Sequence, residues 1–218
     1  MKQHSEKHAY SPLEESLNIS SHALGLVLSV AALVFLVIRA NQYGDVWHVV
    51  SFSIFGASLI ALYAASTIYH SAKDTNLRAR LRIVDHATIY ILIAGTYTPF
   101  TLVTLNGTAG WVIFGVSWGM AVTGTILKLF FTGRFEIVST LMYLFMGWLI
   151  VFALDPLVEN LSEDGIFWLV LGGVSYTVGA ILYAIKRIKF NHAIFHVFVL
   201  IGSICHFISV YFYVLPTN

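Results

Sequence analysis

Apolar residues dominate this chain in seven long stretches, each bounded by a short polar break. The stretches cover residues 19–38, 46–69, 83–105, 111–131, 137–153, 166–185 and 193–214. Each approaches the roughly 20 apolar residues that a membrane-crossing helix needs. The breaks carry turn or charge signals: Asn41-Gln42-Tyr43-Gly44-Asp45, Lys73-Asp74-Thr75-Asn76, Asn106-Gly107, Thr132-Gly133-Arg134, Asp155-Pro156 and Lys186-Arg187-Ile188-Lys189. Connections this short make consecutive helices antiparallel neighbours. The pattern predicts an all-α integral membrane protein, a seven-transmembrane helix bundle forming one domain over residues 1–218, with 1–17 as a short polar tail. The first apolar run is too long for a signal-peptide core and is expected to stay in the membrane. Pro99 is expected to kink the third span. Gly115 and Gly119, four apart, are expected to let two helices approach closely. Trp47, Trp111 and Trp168 fall near the predicted outer helix ends, where an interfacial aromatic belt forms.

Composition sharpens the class. Only 11% of the 218 residues are charged and 58% are hydrophobic, against about 25% charged in soluble domains; the mean hydropathy is +0.80. No Lys/Arg-rich block is present, so nucleic acid is not an expected partner. Cys205 is the only cysteine, which excludes an internal disulfide and a cysteine-based metal site. Eleven of the twelve Lys and Arg residues fall on the side of the N-terminus and the even-numbered connections; only Arg39 falls on the other. By the positive-inside rule the N-terminus is cytoplasmic. With seven spans the C-terminus is then expected outside.

The histidines supply the candidate chemistry. Of nine, His4 and His8 sit in the polar tail and His48 at the outer start of the second span. His192 and His196 open the last span, four residues apart on one helical face. His70 ends the second span with Ser66 one turn earlier, and Asp85 and His86 open the third. His22 lies early in the first span, one turn beyond Asn18 and two beyond Glu15. All these positions fall in one layer at the cytoplasmic side. His206 follows His196 by ten residues, about 15 Å deeper at 1.5 Å per residue.

Ionisable groups in a membrane helix are costly and point to function. Three imidazoles, His70, His192 and His196, plus a water would make the open tetrahedral site of a catalytic Zn²⁺. Zinc brings the pKa of bound water down to about 7. Asp85 would take a proton as general base, and Ser66 would orient His70 or donate to an oxyanion. Plainer readings stand beside these. The His192/His196 pair could bond backbone carbonyls or lipid headgroups. Asp85 could be a helix-start acid paired with Arg82. Ser66 could be a helix–helix hydrogen bond. Glu15 and Asn18 could simply begin the first helix, and His86 and His206 could be packing or hydrogen-bonded histidines.

Four motifs taken in order resemble those of the hemolysin III family, which is related to the progestin and adipoQ receptors. They are Glu15-x-x-Asn18-x-x-x-His22; Ser66-x-x-x-His70; Asp85-His86-Ala87-Thr88-Ile89-Tyr90 with Gly95-Thr96-Tyr97-Thr98-Pro99-Phe100; and Asn191-His192-Ala193-Ile194-Phe195-His196 with Cys205-His206-Phe207. The likeness covers essentially the whole chain. It implies a zinc ion on His70, His192 and His196 and a water between the metal and Asp85. Related membrane proteins include alkaline ceramidases, which hydrolyse lipid amides. The receptor-type relatives carry long terminal extensions that are almost lacking here, which counts against hormone reception.

Two functions compete. The first is an intramembrane zinc hydrolase acting on a lipid amide or ester and so affecting membrane homeostasis, with membrane lipid as substrate. The second is a non-catalytic sensor or regulator of membrane state or energetics, in which zinc staples helices together. A channel is disfavoured because ionisable residues are scarce in the outer half. No His-Glu-x-x-His protease motif is present.

Overall fold

Ser11 starts the first helix. Its side chain accepts the Glu14 N–H at 3.2 Å, Pro12 follows in the first turn, and Glu14 and Glu15 complement the positive end of the dipole. Helix α1 therefore spans Pro12–Tyr43, beginning well before residue 19 and absorbing the end of the tail expected over 1–17. The computed structural model describes residues 10–132 and 136–215. Lys2, Lys7, His4, His8, Gly133 and Arg134 lie outside them.

The other elements follow in order: α2 Val46–Ser71, α3 Thr75–Pro99, α4 Gly107–Phe131, α5 Glu136–Gly147, α6 Leu154–Asn160, α7 Glu163–Ala184 and α8 Asn191–Ser209. Seven helical segments are long and apolar enough to cross a membrane, and no strand occurs among the described residues. The connections are as brief as the breaks suggested. Asp45 caps α2 in a capping box with His48, Asp74 caps α3, and Ser162 caps α7.

Three expectations change. Asp74 nucleates α3 by accepting the Leu77 N–H at 2.8 Å, so Arg78, Arg80 and Arg82 are helical and Asp85 sits in the third turn of α3. Asp85 is thus beyond reach of the helix-start dipole, and among the described residues it makes no ion pair with Arg82. The fifth span does not stop at Asp155-Pro156. It continues from α5 through a 3₁₀ stretch, Leu149–Ala153, into α6. Pro156 falls in the first turn of α6, where the N–H it lacks has no intrahelical acceptor. Gly115 and Gly119 do not mediate close packing, since a methyl group added at either would meet nothing within 4 Å.

Pro99 does interrupt its helix. Beyond it the backbone widens into a π-helical stretch, Phe100–Leu105, and the Thr101 hydroxyl donates to the Tyr97 carbonyl at 3.0 Å. Such local adjustments satisfy backbone groups freed by proline where no water can. Trp47 and Trp111 meet edge-to-face at 5.7 Å, on neighbouring helix starts.

The interior is built around α2 and α3. Phe52, Phe55, Leu59 and Tyr63 of α2 and Tyr90 and Leu92 of α3 are almost wholly buried. The third span is the most buried and the fifth the least. Phe130, Ile137 and Phe152 are 73%, 77% and 76% exposed; side chains this apolar and this open face lipid in a membrane protein.

Candidate metal centre

The end of α2 and the start of α8 meet at one end of the bundle. The chain reaches α8 through a tight turn in which Phe190 adopts a left-handed conformation, φ 59°, uncommon for a bulky residue. Asn191 Nδ2 donates to the Tyr183 carbonyl at 2.7 Å, tying this turn to the end of α7. His192 and His196 then project one turn apart towards His70 of α2. All three are buried, and one nitrogen from each lies within 4.8 Å of the others. His70 Nε2 and His192 Nε2 are 3.0 Å apart. Ligands at 2.0–2.1 Å from a tetrahedral zinc stand about 3.3 Å from one another, so small ring movements would seat an ion.

Hydrogen bonds fix which nitrogens are available. His70 Nδ1 lies 3.1 Å from Glu15 Oε2. A carboxylate only accepts, so Nδ1 carries the proton and Nε2 keeps its lone pair. His196 Nδ1 faces the Asn18 carbonyl at 3.3 Å, with Ser21 Oγ at 3.5 Å. It donates there, again leaving Nε2 with the lone pair. His192 Nδ1 is buried with no hydrogen-bond partner. Lone pairs converging in a buried space call for a proton or a cation between them, and three neutral imidazoles suit a borderline-soft divalent ion such as Zn²⁺. The donor set fits the metal expected from the sequence.

Glu15 and Asn18 are therefore more than the start of a helix: each orients a histidine. Glu15 also forms an ion pair with Arg78 of α3 and accepts from Asn18 Nδ2 at 3.4 Å. His22 lies flat against His196, ring centres 3.5 Å apart and 9° from parallel, with its edge towards Tyr63. Both of its nitrogens are buried without partners. The alternative for the His192/His196 pair, backbone carbonyls, holds only for the outer nitrogen of His196.

Two residues of this site carried no warning in the sequence. Arg78 read only as an orientation charge. Tyr10 stacks on His192 at 4.8 Å and closes the centre from its end of the bundle; burial pushes its hydroxyl pKa far above the ordinary value, so it stays neutral. Neither has a spacing that links it to a histidine.

A cavity of about 160 Å³ opens beside the histidines. Ser66, Asp85 and His86 line it next to His192 and His196, and His206 lines it as well. Asp85 is 7% exposed and Ser66 2%. Ser66 Oγ lies towards the Asp85 carboxyl without a well-formed hydrogen bond to any group. His86 is half-buried, and its carbonyl accepts from the Tyr143 hydroxyl at 3.0 Å. Most of the remaining wall is apolar, with Leu62, Ile89, Ile93, Leu144, Phe195 and Val199. Lys128, Ser139, Thr140, Thr96 and Thr177 also line it, so the cavity is largely but not wholly apolar.

Residues 10–207 match the family model described as Haemolysin-III related. Hemolysin-3 of Bacillus cereus is 47% identical over 204 residues, covering 94% of this chain and 93% of that protein. The Hemolysin-3 homolog of Bacillus subtilis (strain 168) is 48% identical over 200 residues, covering 92% and 94%. A human protein, Monocyte to macrophage differentiation factor, is 29% identical over 214 residues, covering 94% and 87%.

Proposed function

The chain belongs to the haemolysin-III-related family of membrane proteins, and from that premise we propose that it is a zinc-dependent hydrolase of a lipid amide or ester. The observation that carries this reading is the convergence of three buried imidazole nitrogens beside a largely apolar cavity. His70, His192 and His196 would hold the ion. Zn²⁺ bound there supplies Lewis acidity and makes a water acidic near neutral pH.

The protein's own groups do the rest. The Asp85 carboxylate accepts a proton from the attacking water and returns it to the leaving group. The Ser66 hydroxyl, which lies towards the Asp85 carboxyl, turns to donate to the oxygen on which negative charge develops. Glu15 and Asn18 keep His70 and His196 in the tautomer that leaves Nε2 available. The largely apolar wall seats an acyl chain and limits the access of water to the reacting centre. The distribution of basic residues supports a cytoplasmic N-terminus, an outside C-terminus and a site near the inner headgroups of the cytoplasmic membrane.

Metal analysis of purified wild type beside His192→Ala tests the ion: about one zinc per chain in the first and almost none in the second. Turnover of labelled lipid amides and esters tests the chemistry. Wild type releases fatty acid, while His70→Ala, Asp85→Asn and Ser66→Ala fall by at least tenfold. Equal rates for wild type and His70→Ala across a broad lipid panel refute the enzyme.

A second reading rests on a separate observation. The centre joins four helices: Glu15 on α1, His70 on α2, Arg78 on α3 and the histidine pair on α8. A metal there would act as a staple, and lipid binding would shift the packing of these helices in a sensor or regulator. This role predicts a large loss of thermal stability on chelation with no product formed.

A further inference from the structure

The far side of the cavity holds a polar atom that the proposed hydrolysis does not use. His206 lies on α8, ten residues beyond His196 and so about 15 Å along the helix axis. Half of a hydrocarbon core about 30 Å thick is also about 15 Å, which sets His206 one leaflet away from the metal corner. It is 4% exposed and lines the same cavity. Its Nδ1 lies 2.8 Å from the Gly202 carbonyl, one turn back. A carbonyl only accepts, so Nδ1 carries the proton and Nε2 of the neutral ring presents a lone pair. No described group hydrogen-bonds that nitrogen.

The ring is held in place deliberately. Tyr176 of α7 stacks on it, centres 5.1 Å apart and 27° from parallel. The Tyr176 hydroxyl is taken up by Ser203 Oγ at 2.9 Å, and Ser203 also accepts from Tyr63 at 2.8 Å. One turn earlier on α7 lies Gly172, where a Cβ would come within 2.5 Å of His206 Cε1. A histidine with an unmet acceptor at this depth loses hydrogen-bonding free energy unless a ligand brings a donor.

We propose that His206 Nε2, braced by Tyr176 and Gly172 on the wall of the cavity, is a subsite that accepts a hydrogen bond from a hydroxyl carried on the acyl chain of the bound lipid. The inference rests on the lipid-hydrolase reading of the same cavity and narrows its substrate class to hydroxy-acyl lipids. With the reacting carbonyl at the histidine centre, the distance places that hydroxyl past the middle of a long chain, not beside the carbonyl.

The test is equilibrium binding to the purified, metal-loaded full chain in detergent. Three probes are compared: stearate, stearate hydroxylated beside its carboxyl, and stearate hydroxylated beyond mid-chain. Wild type is expected to bind the last about tenfold more tightly than the other two, the worth of one hydrogen bond to a desolvated acceptor. His206→Phe and His206→Leu are expected to bind all three alike while keeping the stearate affinity and the zinc content of wild type. Two acceptor-free variants are used so that one folded protein suffices. Equal binding of the three probes by wild type, as when water alone satisfies His206, overturns the proposal. So does a mid-chain preference that survives in either folded variant. Turnover is measured on the same wild-type preparation, which separates the two claims. A preference without turnover leaves the subsite standing and the hydrolase refuted, and turnover without a preference refutes the subsite alone.

Discussion

Replacing Glu15 by Gln probes the metal centre through a residue that never touches the metal. The carboxylate lies 3.1 Å from His70 Nδ1 and is only 18% exposed, so little solvent competes for this bond. Removing a group that orients a metal-binding histidine typically costs 10–100-fold in affinity, or about 1.4–2.7 kcal/mol. Glutamine keeps an oxygen that can accept from Nδ1 and loses only the charge, so Glu15→Gln belongs at about tenfold. Glu15→Ala loses both and belongs near 100-fold. Arg78→Ala removes the partner on the other side of the carboxylate while sparing the Glu15–His70 bond; its effect should stay within about threefold. The assay is competition for zinc against a chelator of known affinity, at fixed pH and detergent. If both Glu15 variants match wild type while His70→Ala has lost the metal, Glu15 serves only to hold Arg78, and the tautomer reasoning is wrong.

Tyr10→Ala uncovers His192, so zinc should leave to excess chelator several-fold faster; an unchanged release rate, measured by stopped flow, would show that Tyr10 is no cover. Asp45→Ala deletes the cap of α2 and should destabilise the protein by about 1 kcal/mol, read as a lower melting temperature. The His48 side chain and backbone N–H groups hold the Asp45 carboxyl below its ordinary value. Its contribution is therefore full above the unfolded carboxylate pKa of about 3.9 and vanishes as pH falls through the lower folded value; wild type and Asp45→Ala should converge in stability only in that acidic range. Gly115→Ala faces open space in mid-helix and should leave stability unchanged or raise it by up to about 1 kcal/mol, whereas Gly172→Ala drives a methyl group into His206 and should cost about 1–3 kcal/mol; equal melting temperatures for the two would contradict the tight seat of that ring.

What the sequence determined by itself is what local chemistry determines. Seven apolar runs must become helices in a medium without water, because a helix satisfies its own backbone; seven membrane-length segments are found. Where the runs erred, they erred at their ends. Charged residues such as Arg78, Arg80 and Glu15 were read as lying outside the helices, though a helix can carry them in its first turns. Depth along a helix is also a one-dimensional quantity, so counting from the ends of the runs was enough to place His70, His192 and His196 in one layer.

The tertiary structure alone decided which way those side chains turn. Nothing in the spacing of Glu15, Asn18 and His22 says that a carboxylate will face His70, a carbonyl His196, and a ring lie flat on His196; that follows from how α1 lies against α2 and α8. Tyr10 and Arg78 join the site by the same packing. Spacing set His206 apart from the metal ligands, yet the cavity that brings both to one wall exists only once α3, α5, α7 and α8 leave a gap. Facing and empty space are properties of several helices at once, and no single stretch of chain encodes them.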